Sequence, residues 1–414
     1  MNSETWLRDY AMLALRVNRL VTADGGGTLL IYRGPAAWRT EALGEAPPSA
    51  GRLAEDADRL LGAVPPGAGR VAHLSAQVRA LRAVARRAGD GARSGAGSGM
   101  PLADFAREAL GIEAGPVPQA VFEEAHDRLD AALPGAHGSL GARLDAWKAA
   151  HALRPGHRDR LPDLVARAVA ETRARTGAGI VPLPPDEEVS CVVVPEAHFL
   201  AAGHYEGGGR SVIYVNGGLP FTVADLLYVV AHEGHPGHIA ESLLKEGRAD
   251  CRVRFMLSPS FVVSEGLGLH AQELVFPGGE AQRWLAEHVL PELGIAPDGS
   301  DFAAIHAARN ALWGTWANAA FLADEGRPEG EIRAYLTRWG LLDEAELAAA
   351  LSFVTLPGMN AYVLGYYYGW RAVGSWLGAA ATGAERGARV RRLLTEPLLP
   401  ADLAPGAGTG DGTA

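Results

Sequence analysis

The sequence predicts a mostly helical α+β chain in which a small β-sheet lies beside one long apolar helix. Three observations carry that expectation. Apolar residues recur at the three-to-four spacing of a buried helix face through most of the 414 residues. Two short β-branched runs, bounded by proline and glycine, interrupt this pattern at 189–194 and 210–216. A composition of 48% hydrophobic and 21% charged residues supplies a sizeable core for a chain of this length.

Residues 1–180 read as a helical region. Trp6, Tyr10, Leu13 and Val17 mark the buried stripe of a helix over 5–21, and 53–64 and 71–88 repeat the pattern. Glycine and serine crowd residues 87–100, which predicts a flexible loop there. Helices are expected again over 102–110, 118–133, 140–153 and 161–176. Residues 181–400 form a second, chemically richer region. Pro182, Pro184 and Pro185 lead into the first strand, and Gly207, Gly208 and Gly209 form the turn before the second. One long helix is then predicted over 222–247, a mixed segment over 250–268, and helices over 301–325, 329–339, 344–354 and 362–381. Residues 401–414 are rich in glycine and threonine and are expected to be disordered.

Charge and cysteine content narrow the function classes. A net charge of −10 argues against a sequence-independent nucleic-acid binder, which needs a basic face to displace counterions. Lysine occurs only at Lys148 and Lys245, so the arginine excess reads as a compositional bias and not as a binding surface. Two cysteines, Cys191 and Cys251, give no disulfide framework. Glu4, Arg8, Asp9, Arg16 and Arg19 break up the N-terminal apolar residues, so no signal peptide is expected. The uncharged stretch 347–370 contains Pro357, Gly358 and Asn360 and reads as a buried helix pair, not a membrane span. A cytoplasmic protein without nucleic-acid or membrane partners is the expectation.

Three of the 13 histidines fall within seven residues, in His232-Glu233-Gly234-His235-Pro236-Gly237-His238, at the end of the apolar run 226–231. Neutral imidazole is the commonest protein ligand for transition metals, and a glutamate beside a metal-activated water is the usual base for hydrolysis. A His-Glu pair leaving a hydrophobic helix is how the zincin motif begins. The spacing differs from that motif, which has its second histidine four residues on, where this chain has Pro236. His232 and His238 would diverge by about 120° on an ideal helix. Pro236 and Gly237 break the helix and can swing His238 back toward His232. His232 and His238 are therefore the preferred metal ligands, with His235, three residues from each, as the alternative. Glu233 is the expected general base.

The string His-Glu-x-x-Pro-Gly-His resembles the signature of the bacterial family catalogued as domain of unknown function 885, which is regarded as metallopeptidase-like. Further blocks extend the resemblance over roughly 185–395: Tyr214-Val-Asn216, Ser264-Glu265-Gly266 through Glu273, and Pro357-Gly358 through Tyr362, Gly365 and Arg371. The resemblance implies a zincin-like helical catalytic domain with a small sheet and Glu265 as the third, carboxylate metal ligand. It makes Tyr362 and Arg371 candidates for stabilising an oxyanion and holding a substrate carboxylate. His235, Tyr214, Asn216 and His270 are the expected substrate-lining residues, and Glu241 is a candidate for orienting a ligand histidine. The strand 211–215 is expected to offer the edge on which an extended peptide pairs.

The chain departs from the family pattern at Ile239, Glu241, Leu267 and His270, and at Met359 or Asn360. The expected function is a zinc-dependent hydrolase cleaving a peptide or amide bond of a small peptide or amino-acid-derived substrate. Two other readings stay open on sequence: a metal-dependent tailoring enzyme for an amino-acid-derived small molecule, and an inactive binding relative. The imidazole–carboxylate set favours zinc, while manganese, iron or cobalt also suit it.

Overall fold

A computed structural model describes residues 2–22, 28–67, 70–94, 99–135, 137–197, 199–356 and 359–404. The molecule is mostly helical with a small sheet. Its first helices are α1 (Ser3–Thr22), α2 (Ala36–Gly44), α3 (Ala50–Leu61), α4 (Arg70–Ser94) and α5 (Leu102–Phe105). They are followed by α6 (Gln119–Ala132), α7 (Leu140–Ala150) and α8 (Leu161–Gly179). The predicted stripe of α1 is buried, with Trp6, Tyr10, Leu13 and Val17 each at most 2% exposed. Helix α4 continues to Ser94, so the loop predicted at 87–100 is helical over its first part, and 95–98 lie outside the described residues.

The sheet is built from β2 (Glu188–Val194), β3 (Ala201–Gly207) and β4 (Arg210–Asn216) in the order β2-β4-β3. Strand β4 pairs parallel to β2 and antiparallel to β3. It is thus interior, and Ile213 and Val215 on it are fully buried. That corrects the expectation of a peptide-pairing edge at 211–215: both sides of β4 are occupied, and β2 and β3 are the edges. Sequence periodicity missed β3 because Ala-Ala-Gly-His-Tyr-Glu-Gly lacks the β-branched residues that favour strands. A second, two-stranded sheet joins β1 (Leu30–Tyr32) to β5 (Val253–Phe255), tying the N-terminal helices to the chain beyond residue 250.

The helix predicted over 222–247 is broken. A 3-10 turn at Val223–Asp225 leads into α9 (Leu226–Glu233), and residues 234–237 separate it from α10 (His238–Leu244). Helix α11 (Pro259–Val275) follows β5, with Pro259 at its first turn where no amide hydrogen is needed. The remaining helices are α12 (Glu280–His288), α13 (Phe302–Asp324), α14 (Glu329–Gly340), α15 (Glu344–Thr355), α16 (Met359–Gly378) and α17 (Gly383–Thr395). Asp301 caps α13, and Asp343 with Glu346 forms a capping box on α15. Residues 357–358, one block of the family resemblance, lie outside the described residues. Pro400–Leu403 form a 3-10 turn with Leu403 buried, so the segment expected to be disordered is ordered at its start, and 405–414 lie outside the described residues.

Two glycines set the closest helix contact. A Cβ on Gly266 of α11 would stand 2.3 Å from the carbonyl oxygen of Gly369 on α16, and one on Gly369 would stand 2.2 Å from that of Val262. The absent side chains let the two backbones touch, which places the tyrosines of α16 over Glu265. Among the described residues no single helix is long and apolar enough to cross a membrane. Helices α15 and α16 bend by 110°, with Leu351, Val354, Val363 and Leu364 buried.

Candidate metal centre

The break between α9 and α10 does what the sequence suggested for His238. Gly234 (φ −102°, ψ −100°) ends α9, and Gly237 (φ −79°, ψ −136°) turns the chain into α10. A Cβ on Gly237 would lie 1.8 Å from the His232 carbonyl oxygen, so only glycine permits so tight a return. The two imidazoles end 4.7 Å apart, centroid to centroid, at 86°.

Glu265 completes the group from the second turn of α11. Its Oε2 lies 3.4 Å from His232 Nε2 and its Oε1 3.6 Å from His238 Nε2. One ligand atom from each of the three lies within 4.8 Å of the others. A tetrahedral zinc ion with bonds near 2.0–2.2 Å holds its ligands roughly 3.3–3.5 Å apart, so these separations suit such an ion. The carboxylate gives a second sign. Glu265 is 2% exposed, and its Oε2 is buried without a hydrogen-bond partner among the described residues. An orphaned carboxylate oxygen is costly in a protein interior unless a cation satisfies it.

Neighbouring groups fix these side chains. Tyr362 Oη donates to Glu265 Oε1 at 2.7 Å. Ser264 Oγ lies 3.0 Å from His238 Nδ1 and also hydrogen-bonds Glu241, leaving Nε2 of His238 free for a metal. Glu241 is buried and paired with Lys245 at 2.7 Å and Arg254 at 2.8 Å, so it supports the site through Ser264. A Cβ on Gly268 would stand 2.6 Å from His232 Cε1, so the imidazole rests on a bare backbone.

The electrostatics follow. Burial works against ionising Glu265, but His238, His232 and Tyr362 outweigh it and hold its carboxyl below the usual range. Burial also opposes charge on His232, yet Glu265, Glu233 and the Gly268 main chain raise its pKa. For His238 burial prevails, and the pKa falls. Burial lifts Tyr362 and Tyr366 well above the ordinary phenol range, so both stay protonated donors.

Glu233 stands beside the cluster, half-buried, and its Oε2 accepts a 2.8 Å hydrogen bond from the amide of Gly203 on β3. Asn216 N donates to Leu200 O, so by antiparallel alternation the amides of Ala201 and Gly203 face away from β4. The β3 edge of the sheet thus faces Glu233.

Other expected site residues fall elsewhere. His235 is fully buried and bonds Glu187 at 2.8 Å, so its Nε2 is engaged outside the His232–His238–Glu265 group. Asn216 holds the turn after β4, donating to Ala197 O and accepting from Gly218 N. Tyr214 is half-buried on the interior strand, opposite Val192 and Ala202. His270 bonds the Trp370 carbonyl at 2.9 Å, being five residues and about 140° around α11 from Glu265. Arg371, nine residues and about 180° from Tyr362 on α16, is exposed and lies over the Tyr367 ring. The sequence reading overlooked Tyr366, whose half-buried Oη lies 3.4 Å from Tyr362 Oη, because a run of tyrosines looks like core.

No family model matches the chain, and no curated protein matches it. A solved structure described as "the putative lipoprotein from Colwellia psychrerythraea" aligns with 91% of this chain and 68% of its own, with a TM-score of 0.54 and 15% identity. At that identity the likeness is one of fold.

Proposed function

We propose that the chain is a zinc-dependent hydrolase that cleaves a peptide or amide bond. The observation that carries this reading is the orphaned Oε2 of Glu265, facing two imidazoles at ligand spacing. His232, His238 and Glu265 would hold the ion, as the resemblance to the domain-of-unknown-function-885 family also implies. A zinc ion with three protein ligands supplies an acidified water and polarises a carbonyl.

The chain's own groups account for the rest. Glu233 accepts the proton of the attacking water and passes it to the leaving nitrogen, while the Gly203 amide fixes the carboxylate's orientation. Tyr362 is committed to Glu265, which leaves Tyr366 as the phenol available to donate to the developing oxyanion. The outer edge of β3 at Ala201, beside the Gly203 amide that holds Glu233, suits pairing with the extended backbone of a small peptide or N-acyl amino acid.

The test is hydrolysis of N-acyl dipeptides and amino-acid amides by zinc-loaded protein. Chelator should abolish turnover. Glu233→Gln should keep the metal and lose on the order of 10²–10⁴-fold in kcat. Turnover indifferent to both treatments would contradict the reading.

A further inference from the structure

A row of aromatic rings leads away from Glu265 toward open surface. Tyr362, at its inner end, is 7% exposed and occupied by the Glu265 carboxylate. Tyr366, one turn along α16, meets it edge-on at 5.3 Å. Trp313 of α13 stacks on Tyr366 at 4.2 Å and 15°. Trp316, one turn further on α13, lies 4.9 Å from Trp313, and Phe353 of α15 meets Trp316 edge-on at 6.4 Å. The four outer rings are all half-buried, and Leu356, three residues past Phe353, is 43% exposed.

All four rings pack against the core on one side and keep the rest of their surface accessible. Phe302 and Tyr367, on the same helices α13 and α16, are 3% and 1% exposed. The outer rings come from three different helices yet form one continuous series that starts at the metal-ligand cluster. Tyr366 keeps accessible surface one turn from the buried Tyr362, so the accessible part of the series begins beside Glu265. Aromatic faces bind other flat rings by offset stacking or edge contact.

We infer that Tyr366, Trp313, Trp316 and Phe353 form the wall that selects the substrate, which carries an aryl group on the side chain or acyl group flanking the scissile amide. This rests on the amide-hydrolase reading above. Stacking and burial of one phenyl ring against such a wall strengthen binding by on the order of 10-fold.

Hydroxamates test the inference, because they chelate an active-site zinc whatever they carry. Binding of acetohydroxamate, hexanohydroxamate and phenylpropanoyl hydroxamate to zinc-loaded wild type is measured by calorimetry. The phenyl compound should bind about 10-fold tighter than the hexanoyl compound. In Trp313→Leu, with zinc content unchanged, that advantage should shrink to less than about 3-fold while acetohydroxamate binds as before. Equal affinity of the phenyl and hexanoyl compounds in wild type overturns the aryl wall and leaves the hydrolase reading standing. If none of the three binds the zinc-loaded protein, both fall. The wild-type comparison decides the matter even if Trp313→Leu does not fold.

Discussion

Buried histidine–carboxylate groups occur in several places in this molecule, and they are built differently. In one, His306 meets Asp225 at 2.8 Å and Arg309 bonds both oxygens of the same carboxylate at 2.9 Å. In another, His235 meets Glu187 at 2.8 Å and Arg173 takes the other oxygen at 2.9 Å. Around Glu265 the imidazoles stand back at 3.4 and 3.6 Å, one oxygen has no hydrogen-bond partner, and no arginine pairs with the carboxylate among the described residues. The first two are closed ion pairs whose charges cancel within the protein. The third has the charge and the spacing that a bound cation would match. Burial alone therefore does not separate these histidines; the way their carboxylates are partnered does.

Exchanging carboxylates for amides should separate the two kinds of group. Asp225→Asn takes the carboxylate from the half-buried Arg309 and the buried His306 and should cost about 1–3 kcal/mol of stability while leaving metal uptake intact, as chemical denaturation and elemental analysis would show. Glu265→Gln should do the reverse, removing metal uptake with little loss of stability in the metal-free protein. Equal stability losses would erase the distinction.

Gly268→Ala tests the space for the ligand itself. The new methyl would push against the His232 ring, which should cost about 1–3 kcal/mol and weaken zinc binding together. Ser264→Ala should have a smaller effect. It unties His238 from Glu241 and should reduce zinc affinity by about 10–100-fold in a competition with a chromophoric chelator.

Acid should also discriminate. The Asp225 carboxyl is held well below its ordinary pKa, burial being outweighed by Arg309 and His306. A depressed folded pKa gives stability that is present above the unfolded value near ~3.9 and lost as pH falls toward the folded one. The closed pair should therefore survive at about pH 5. Zinc must compete with protons for imidazole, most directly at His232, whose pKa is raised. Metal should leave between about pH 7 and 5 while circular dichroism stays native.

Much of this centre was legible in the sequence because the residue types carry the chemistry. The His-Glu pair, the third histidine and the Pro-Gly break announced a metal site, and Glu265 entered through family resemblance. Spacing did not choose between His235 and His238, because the choice depends on the dihedrals of Gly234 and Gly237. His270 and Arg371 stand apart from the cluster because their helical phase relative to Glu265 and Tyr362 turns them away, which spacing to a distant block does not reveal. Strand β3 and Tyr366 escaped notice for opposite reasons: one has a composition unlike a strand, the other resembles any core tyrosine. The mostly helical fold needed only periodicity and was read correctly.

The most direct test of the central claim is zinc uptake by isothermal titration, comparing wild type with Glu265→Gln and Asp225→Asn. Binding of about one zinc ion per chain by wild type and Asp225→Asn, with loss in Glu265→Gln, is the expected result. A wild type that takes up no zinc, or a Glu265→Gln variant that binds it as tightly, would contradict the assignment of this histidine–carboxylate group to a metal.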